Sequence, residues 1–168
     1  MHRISKVIPN IRLSEADYLN LLTEQVTLVM AARNAFSLSW SRAEAVLQKI
    51  QGGGHQPTVA EKETLEALTS RFTRLSDILF QRLFRTLDQV ELIDEGTNID
   101  RLNRMEKRGV IASAEIWKQV RQLRNSIAHE YLIQASDSVV LESIQYGQEL
   151  LDSVDRFTRY AQSKGYLT

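Results

Sequence analysis

The sequence predicts an all-α protein: an up-and-down helical bundle with two long antiparallel helices and one short inserted helix. Three observations predict it. Apolar residues recur at steps of three and four over most of the chain, with no strand-like alternation of useful length. Only Pro9 and Pro57 interrupt 168 residues, so helices can run long. Turn-forming residues gather at a few places, above all Gly52-Gly53-Gly54-His55-Gln56-Pro57. The length suits a single domain, 1–168, with enough chain for a real core.

Residues 1–12 read as an extended or loosely held leader. Ser14 is the candidate N-cap of a first helix running to Gln51, with Tyr18, Leu22, Val26, Val29, Val46 and Ile50 among its apolar positions. Ser37, Ser39 and Ser41 lower helix propensity mid-way and leave room for a kink or break near Phe36–Ser41. His55, in the glycine-rich loop, reads as solvated. Thr58 and Glu61 form a capping-box pattern ahead of a second helix from Val59 to about Asp94. Leu65, Leu68, Phe72, Leu75, Leu79, Leu83, Leu87 and Val90 make a continuous seam along it. Arg71, Arg74, Arg82 and Arg85 lie beside that seam as surface charges.

Gly96 and Asn98 break the pattern. A short helix follows from Ile99 to Arg108, with Gly109 as its stop and Val110 and Ile111 apolar enough to tuck beneath the next helix. That helix runs from about Ala114 to Glu130 or Tyr131, with Ser113 as its N-cap. Ser136-Asp137-Ser138 offers caps for a last helix to Ser163, and Gly165 reads as a terminator.

Composition narrows the function. Lys plus Arg and Asp plus Glu each number 21, so the chain is not a globally basic nucleic-acid binder. RNA contact would need a local patch. Arg101, Arg104, Lys107, Arg108, Lys118, Arg121 and Arg124 offer one, although a solvated helix face has the same pattern. There is no cysteine, hence no disulfide and no thiolate metal site. That fits a cytoplasmic protein. The N-terminus lacks the apolar core of a signal peptide, and no apolar run approaches the ~18 residues of a membrane span. His2, His55 and His129 are scattered without metal-ligand spacing, and neither a P-loop nor a nucleophile elbow is present. No cofactor or metal is expected.

The chemistry concentrates in Arg121-Gln122-Leu123-Arg124-Asn125-Ser126-Ile127-Ala128-His129-Glu130-Tyr131. At about 100° per residue, with Arg124 at zero, Trp117 falls near +20°, Val120 near −40°, Ile127 near −60° and Tyr131 near −20°. Arg124 thus lies inside an apolar stripe and must find a counter-charge, an acceptor or an anion. Asn125 and His129 sit on the helix shoulder near +100° and +140°, four residues apart and therefore neighbours. The plain alternatives are an arginine complementing the helix dipole, a surface histidine, and a core Tyr131 with a wet hydroxyl.

The pattern Arg124-x-x-x-x-His129-x-Tyr131, with Asn125 after the arginine, resembles the signature of the HEPN superfamily. It is most similar to HepT-like toxins of prokaryotic toxin–antitoxin pairs. The flanks Asp100 to Ile111, Trp117, Leu123-Arg124-Asn125 and Ala128 to Tyr131 carry the likeness, which spans roughly Arg71 to Tyr160. The resemblance implies a metal-independent endoribonuclease toxin of a type VII-like pair. It implies Arg124, Asn125 and His129 as catalytic residues, with Lys118, Arg121, Arg104 and Arg108 as RNA-contact candidates. An ideal helix points Arg124 and His129 about 140° apart, so either the helix loosens at its end or a second subunit completes the site; the resemblance implies the latter, a homodimer with a composite site. A minimal nucleotidyltransferase antitoxin would neutralise the protein by transferring AMP to Tyr131. Trp117, Val120, Leu123 and Ile127 offer an apolar face, at least two of them to the chain's own core. Two other readings stay open: a non-catalytic HEPN-like nucleotide- or RNA-binding module partnering a nucleotidyltransferase, and a plain helical scaffold.

Overall fold

Three of the helices start where a hydroxyl and a carboxylate three residues apart satisfy the orphan amides of a first turn. The computed structural model describes residues 13–93, 95–130 and 137–167. Ser14 and Asp17 form a reciprocal capping box that opens α1, Glu15–Gln51. Thr58 and Glu61 do the same for α2, Val59–Asp77. A π-helical turn, Ile78–Leu83, continues α2 into α3, Phe84–Val90, as one rod. Thr97 and Asp100 box the start of α4, Asn98–Lys107. Ser113 accepts from the amides of Glu115 and Ile116 at the head of α5, Ala114–Glu130. Last comes α6, Asp137–Ser163.

The two long rods, α1 and α2 with its continuation to Val90, pack on each other, and α5 and α6 complete the bundle around them. The inserted α4 lies across α3 and α5. No strand occurs among the described residues, and no described helix is long and apolar enough to cross a membrane. One hydrophobic core draws on every helix and centres on the α2–α3 rod. There Ile78, Leu79, Phe80, Leu83, Phe84 and Leu87 are all buried. A segment apolar on every side belongs at the centre of a bundle. Phe84 stacks near Phe157, with Trp117 tilted against it at a centroid distance of 5.0 Å.

Several expectations are corrected. The first helix has no break at its serines: Ser41 bonds back to the Ser37 carbonyl, and buried Ser39 accepts from Arg71. Arg71 is therefore a tie between α2 and α1 rather than a surface charge, and it also donates to the Ala35 carbonyl at 3.1 Å. The second helix ends at Val90, with Leu92 in the left-handed region at φ 59°. His55 is half-buried and pairs with Glu61 at 2.7 Å. Glu61 also accepts from the Thr58 amide and from Lys49. The Thr58 amide first, then His55 and Lys49, hold its carboxyl down at about 2. Asn98 does not break the chain but opens α4. The leader 1–12, Ser136 and Tyr131 lie outside the described residues.

Leu92 yields one stability prediction. The residue is 80% exposed, so its burial contributes little, while a left-handed leucine costs about 1–2 kcal/mol. The amide of Ile93 bonds back to the Asp88 carbonyl and fixes this turn. Leu92→Gly is expected to raise stability by about 0.5–1 kcal/mol, the strain relief less glycine's greater unfolded-state entropy. Thermal melting checks it, and a fall in Tm contradicts it.

Candidate functional site

Arg124 lies on the side of α5 that meets α2. Trp117, Val120, Leu123 and Ile127 enter the chain's own core, so the apolar stripe is not a surface for a second copy. Arg124 flanks that stripe at the edge of the core and, as its position requires, finds a carboxylate. Its Nε donates to both Asp77 oxygens at 2.9 and 3.1 Å, and its Nη2 donates to Oδ2 at 2.8 Å. Arg121, one turn earlier, donates from Nη1 to Asp77 Oδ1 at 2.9 Å. Its guanidinium also sits 4.6 Å from the Phe80 ring centroid, a cation–π distance. Burial works against the charged form of Asp77, but the hydrogen bonds and charges of Arg124 and Arg121 outweigh it and hold the carboxyl below its ordinary range. The same hydrogen bonds raise Arg124, against desolvation.

This pairing borders an open cleft of about 670 Å³. Its floor is one stripe of the α2 rod: Ser70, Thr73, Arg74, Asp77, Ile78, Gln81 and Arg82, spaced alternately by three and one. Leu28 of α1 forms one wall and Arg124 of α5 the other. The π turn begins directly after Asp77; such turns inside α-helices frequently mark functional sites. Asn125 and His129 are exposed on α5 and do not line this cleft. One chain thus brings Arg121 and Arg124 together on Asp77, and His129 is not part of this cleft's lining.

The basic residues predicted as one patch are divided. Arg101, Arg104 and Arg108 converge on Asp88 of α3, which is 3% exposed. Arg104 forks onto it with Nε to Oδ1 at 3.0 Å and Nη2 to Oδ2 at 2.6 Å. Arg108 reaches Oδ1 at 2.9 Å and also pairs with Glu91, which accepts from the Tyr160 hydroxyl at 2.7 Å. Arg104 and Arg108, the outer RNA-contact candidates, therefore spend donors on binding α4 to α3 and α6. Lys118 pairs with Glu115 on the exposed side of α5 at 3.0 Å.

Sequence reasoning required a counter-charge for Arg124 but did not name Asp77, and it missed Asp88 altogether. Both are carboxylates set among apolar neighbours, in Leu75-Ser76-Asp77-Ile78 and Leu87-Asp88-Gln89-Val90. A charge in such a context is the available signal, because it must be paired if buried. Arg74 and Arg82 were read as solvated, and the cleft they share with Arg124 follows only from the packing. Compared with family models, with curated proteins and with solved structures, the chain finds no match.

Proposed function

We propose that this chain is a HEPN-like, HepT-like endoribonuclease that cuts RNA without a metal ion, working as a pair of copies. The observation that carries the reading is Arg124, fixed by a two-pronged contact to Asp77 at the mouth of an open cleft. Such a guanidinium matches the geometry of phosphate oxygens and can exchange the carboxylate for them. His129 lies exposed further along the same helix. In the proposed reaction the ribose 2′-oxygen attacks phosphorus and the bond to the 5′-oxygen breaks, giving a 2′,3′-cyclic phosphate and a 5′-hydroxyl. His129 takes the 2′-hydroxyl proton and, as the imidazolium so formed, returns it to the departing 5′-oxygen. Arg124 stabilises the charge gathering on phosphorus oxygens. Asn125 orients the imidazole or a phosphate oxygen.

Because His129 does not line the cleft that Arg124 borders, the proposed site takes its imidazole from a second copy. Its contact surface must differ from the buried stripe of α5. The test is incubation of purified protein with single-stranded RNA in excess EDTA, followed by identification of the product ends. Cyclic phosphate termini are expected. Intact RNA, or cleavage abolished by the chelator, contradicts the reading.

The resemblance supports a cognate nucleotidyltransferase as the neutralising partner, with AMP added to Tyr131. The added phosphate would place negative charge beside Arg124 and repel RNA. Co-expression with such an enzyme and intact-mass spectrometry are expected to show an adenylyl adduct that is absent from Tyr131→Phe. An unmodified chain removes this part. The runner-up is a non-catalytic nucleotide- or RNA-binding module. It is favoured by one observation, that the cleft binding Arg124 excludes His129 from its lining.

A further inference from the structure

We infer that the cleft floored by α2 is a binding site for a nucleotide phosphate, with Arg74 and Arg82 as its ligands beside Arg124 and Asp77 as a counter-ion that the phosphate displaces. The inference deepens the reading above and rests on it for Arg124 alone. The whole chain is neutral, yet this hollow gathers Arg74, Arg82 and Arg124 against the single carboxylate of Asp77. Arg121 adds a fourth guanidinium on that carboxylate.

Among the described residues, neither Arg74 nor Arg82 makes a side-chain hydrogen bond or ion pair, although both line the hollow and sit one turn either side of the Asp77–Ile78 step. Thr73, in the same lining, has a buried hydroxyl oxygen with no partner among the described residues. Buried polar atoms are nearly always satisfied, so this hydroxyl marks a place where an acceptor belongs. Phosphate oxygens suit all of these donors, since guanidinium forks match their geometry and a hydroxyl can add a further hydrogen bond. Leu28 is 41% exposed on the α1 wall and gives a flat apolar surface for a base or ribose. The volume, about 670 Å³, lies within the usual span of small-ligand sites. A solvated helix face would explain two exposed arginines. It would not explain their sharing a concavity with a paired arginine and an unsatisfied hydroxyl.

Asp77 sets the selectivity of such a site. It already occupies the fork of Arg124, so a weak anion gains little by displacing it. A phosphate that also engages Arg74 and Arg82 replaces one carboxylate contact with three guanidinium contacts.

The test uses the full chain and two probes that cannot be cut. Fluorescence anisotropy follows a labelled, fully 2′-O-methylated RNA tetramer, and titration calorimetry follows AMP. The double variant Arg74→Gln/Arg82→Gln is compared with Arg159→Gln, an exposed arginine of α6 away from the cleft. Both variants alter exposed side chains, and circular dichroism verifies that they fold. The double variant is expected to weaken tetramer binding at least tenfold. It should also flatten the dependence of log K on log salt by about 1.4, at ~0.7 per lost phosphate contact. Arg159→Gln should stay within twofold of the parent. AMP binding lost in the same way identifies a free nucleotide as sufficient, whereas tetramer binding alone identifies a strand; either supports the site. No binding of either probe, or equal losses in the two variants, overturns it. If no RNA is ever cut but the Arg74/Arg82-dependent binding is found, the nuclease reading fails and this site stands.

Discussion

Asp88→Asn is expected to lower the stability of the protein by about 3–5 kcal/mol, the usual cost of removing one partner from a buried charge cluster. For a domain of this size that is a fall in Tm of roughly 6–20 °C. The reasoning starts from the sign of what is left behind. Asp88 is the shared acceptor of Arg101, Arg104 and Arg108 and is almost wholly inaccessible. An asparagine keeps the shape but supplies one neutral oxygen in place of a charged pair. Three guanidinium groups then face each other, while Glu91 is already engaged by Arg108 and Tyr160 and Asp100 is held in the capping box of α4. Because α4 is short, its docking on α3 depends on these contacts together with Leu102 and Met105, which are buried beneath it. Burial alone would raise the Asp88 carboxyl, but hydrogen bonds from Arg104 and Arg108 and their charges bring it below the ordinary range. Its contribution is therefore complete above the unfolded value, near 4, and is lost as pH falls through the lower folded value. Thermal melts of parent and variant from pH 7 to pH 3 check both parts. The gap should be largest at neutral pH and close in acid. A Tm shift under about 2 °C at pH 7 would show that the cluster is not the fastening of α4. It would also return Arg104 and Arg108 to the RNA surface suggested by the sequence.

The helices were legible because local rules decide them. Ser14, Thr58 and Ser113 cap as their positions require, and Gly109 and Gly165 take the left-handed conformation expected of terminators. The π turn left a fainter trace. In the seam, Leu75, Leu79, Leu83 and Leu87 are separated by three successive steps of four. On a regular helix those steps drift about 120° around the axis, and a wider turn takes up the drift. The ion pairs were less legible because they join residues far apart in sequence. Arg124 announced a need that many carboxylates could meet. Only the packing of α5 against α2 selects Asp77. The same packing turns Arg74 and Arg82 from separate surface charges into one lining, and buries all four residues of the stripe that had been offered in part to a second copy.

His129→Ala is expected to reduce RNA cleavage by about 10²–10⁴-fold, the contribution of a single general acid–base group. Its Tm should be unchanged, since the side chain is exposed. Arg124→Ala should lose cleavage as well, but for a different reason and with a different signature. It removes phosphate stabilisation and leaves Asp77 to Arg121 alone, so affinity for uncleavable RNA and thermal stability both fall. His129→Ala should leave that affinity intact. The two variants thus separate a catalyst from a binding module, in which removing His129 would change nothing measurable. The proposed sharing of the site between two copies makes a further demand. If Arg124 of one copy works with His129 of another, mixing inactive Arg124→Ala and His129→Ala chains rebuilds a complete pair in each mixed dimer. Random assortment makes half the dimers mixed, each with one of its two sites intact, and recovers roughly one quarter of the parent activity. If both residues act from the same chain, no mixture recovers anything, because every chain lacks one of them. Recovery on mixing would therefore tie the arginine fixed by Asp77 to an imidazole from the other copy, and a dead mixture of two chains shown to exchange would exclude the shared site.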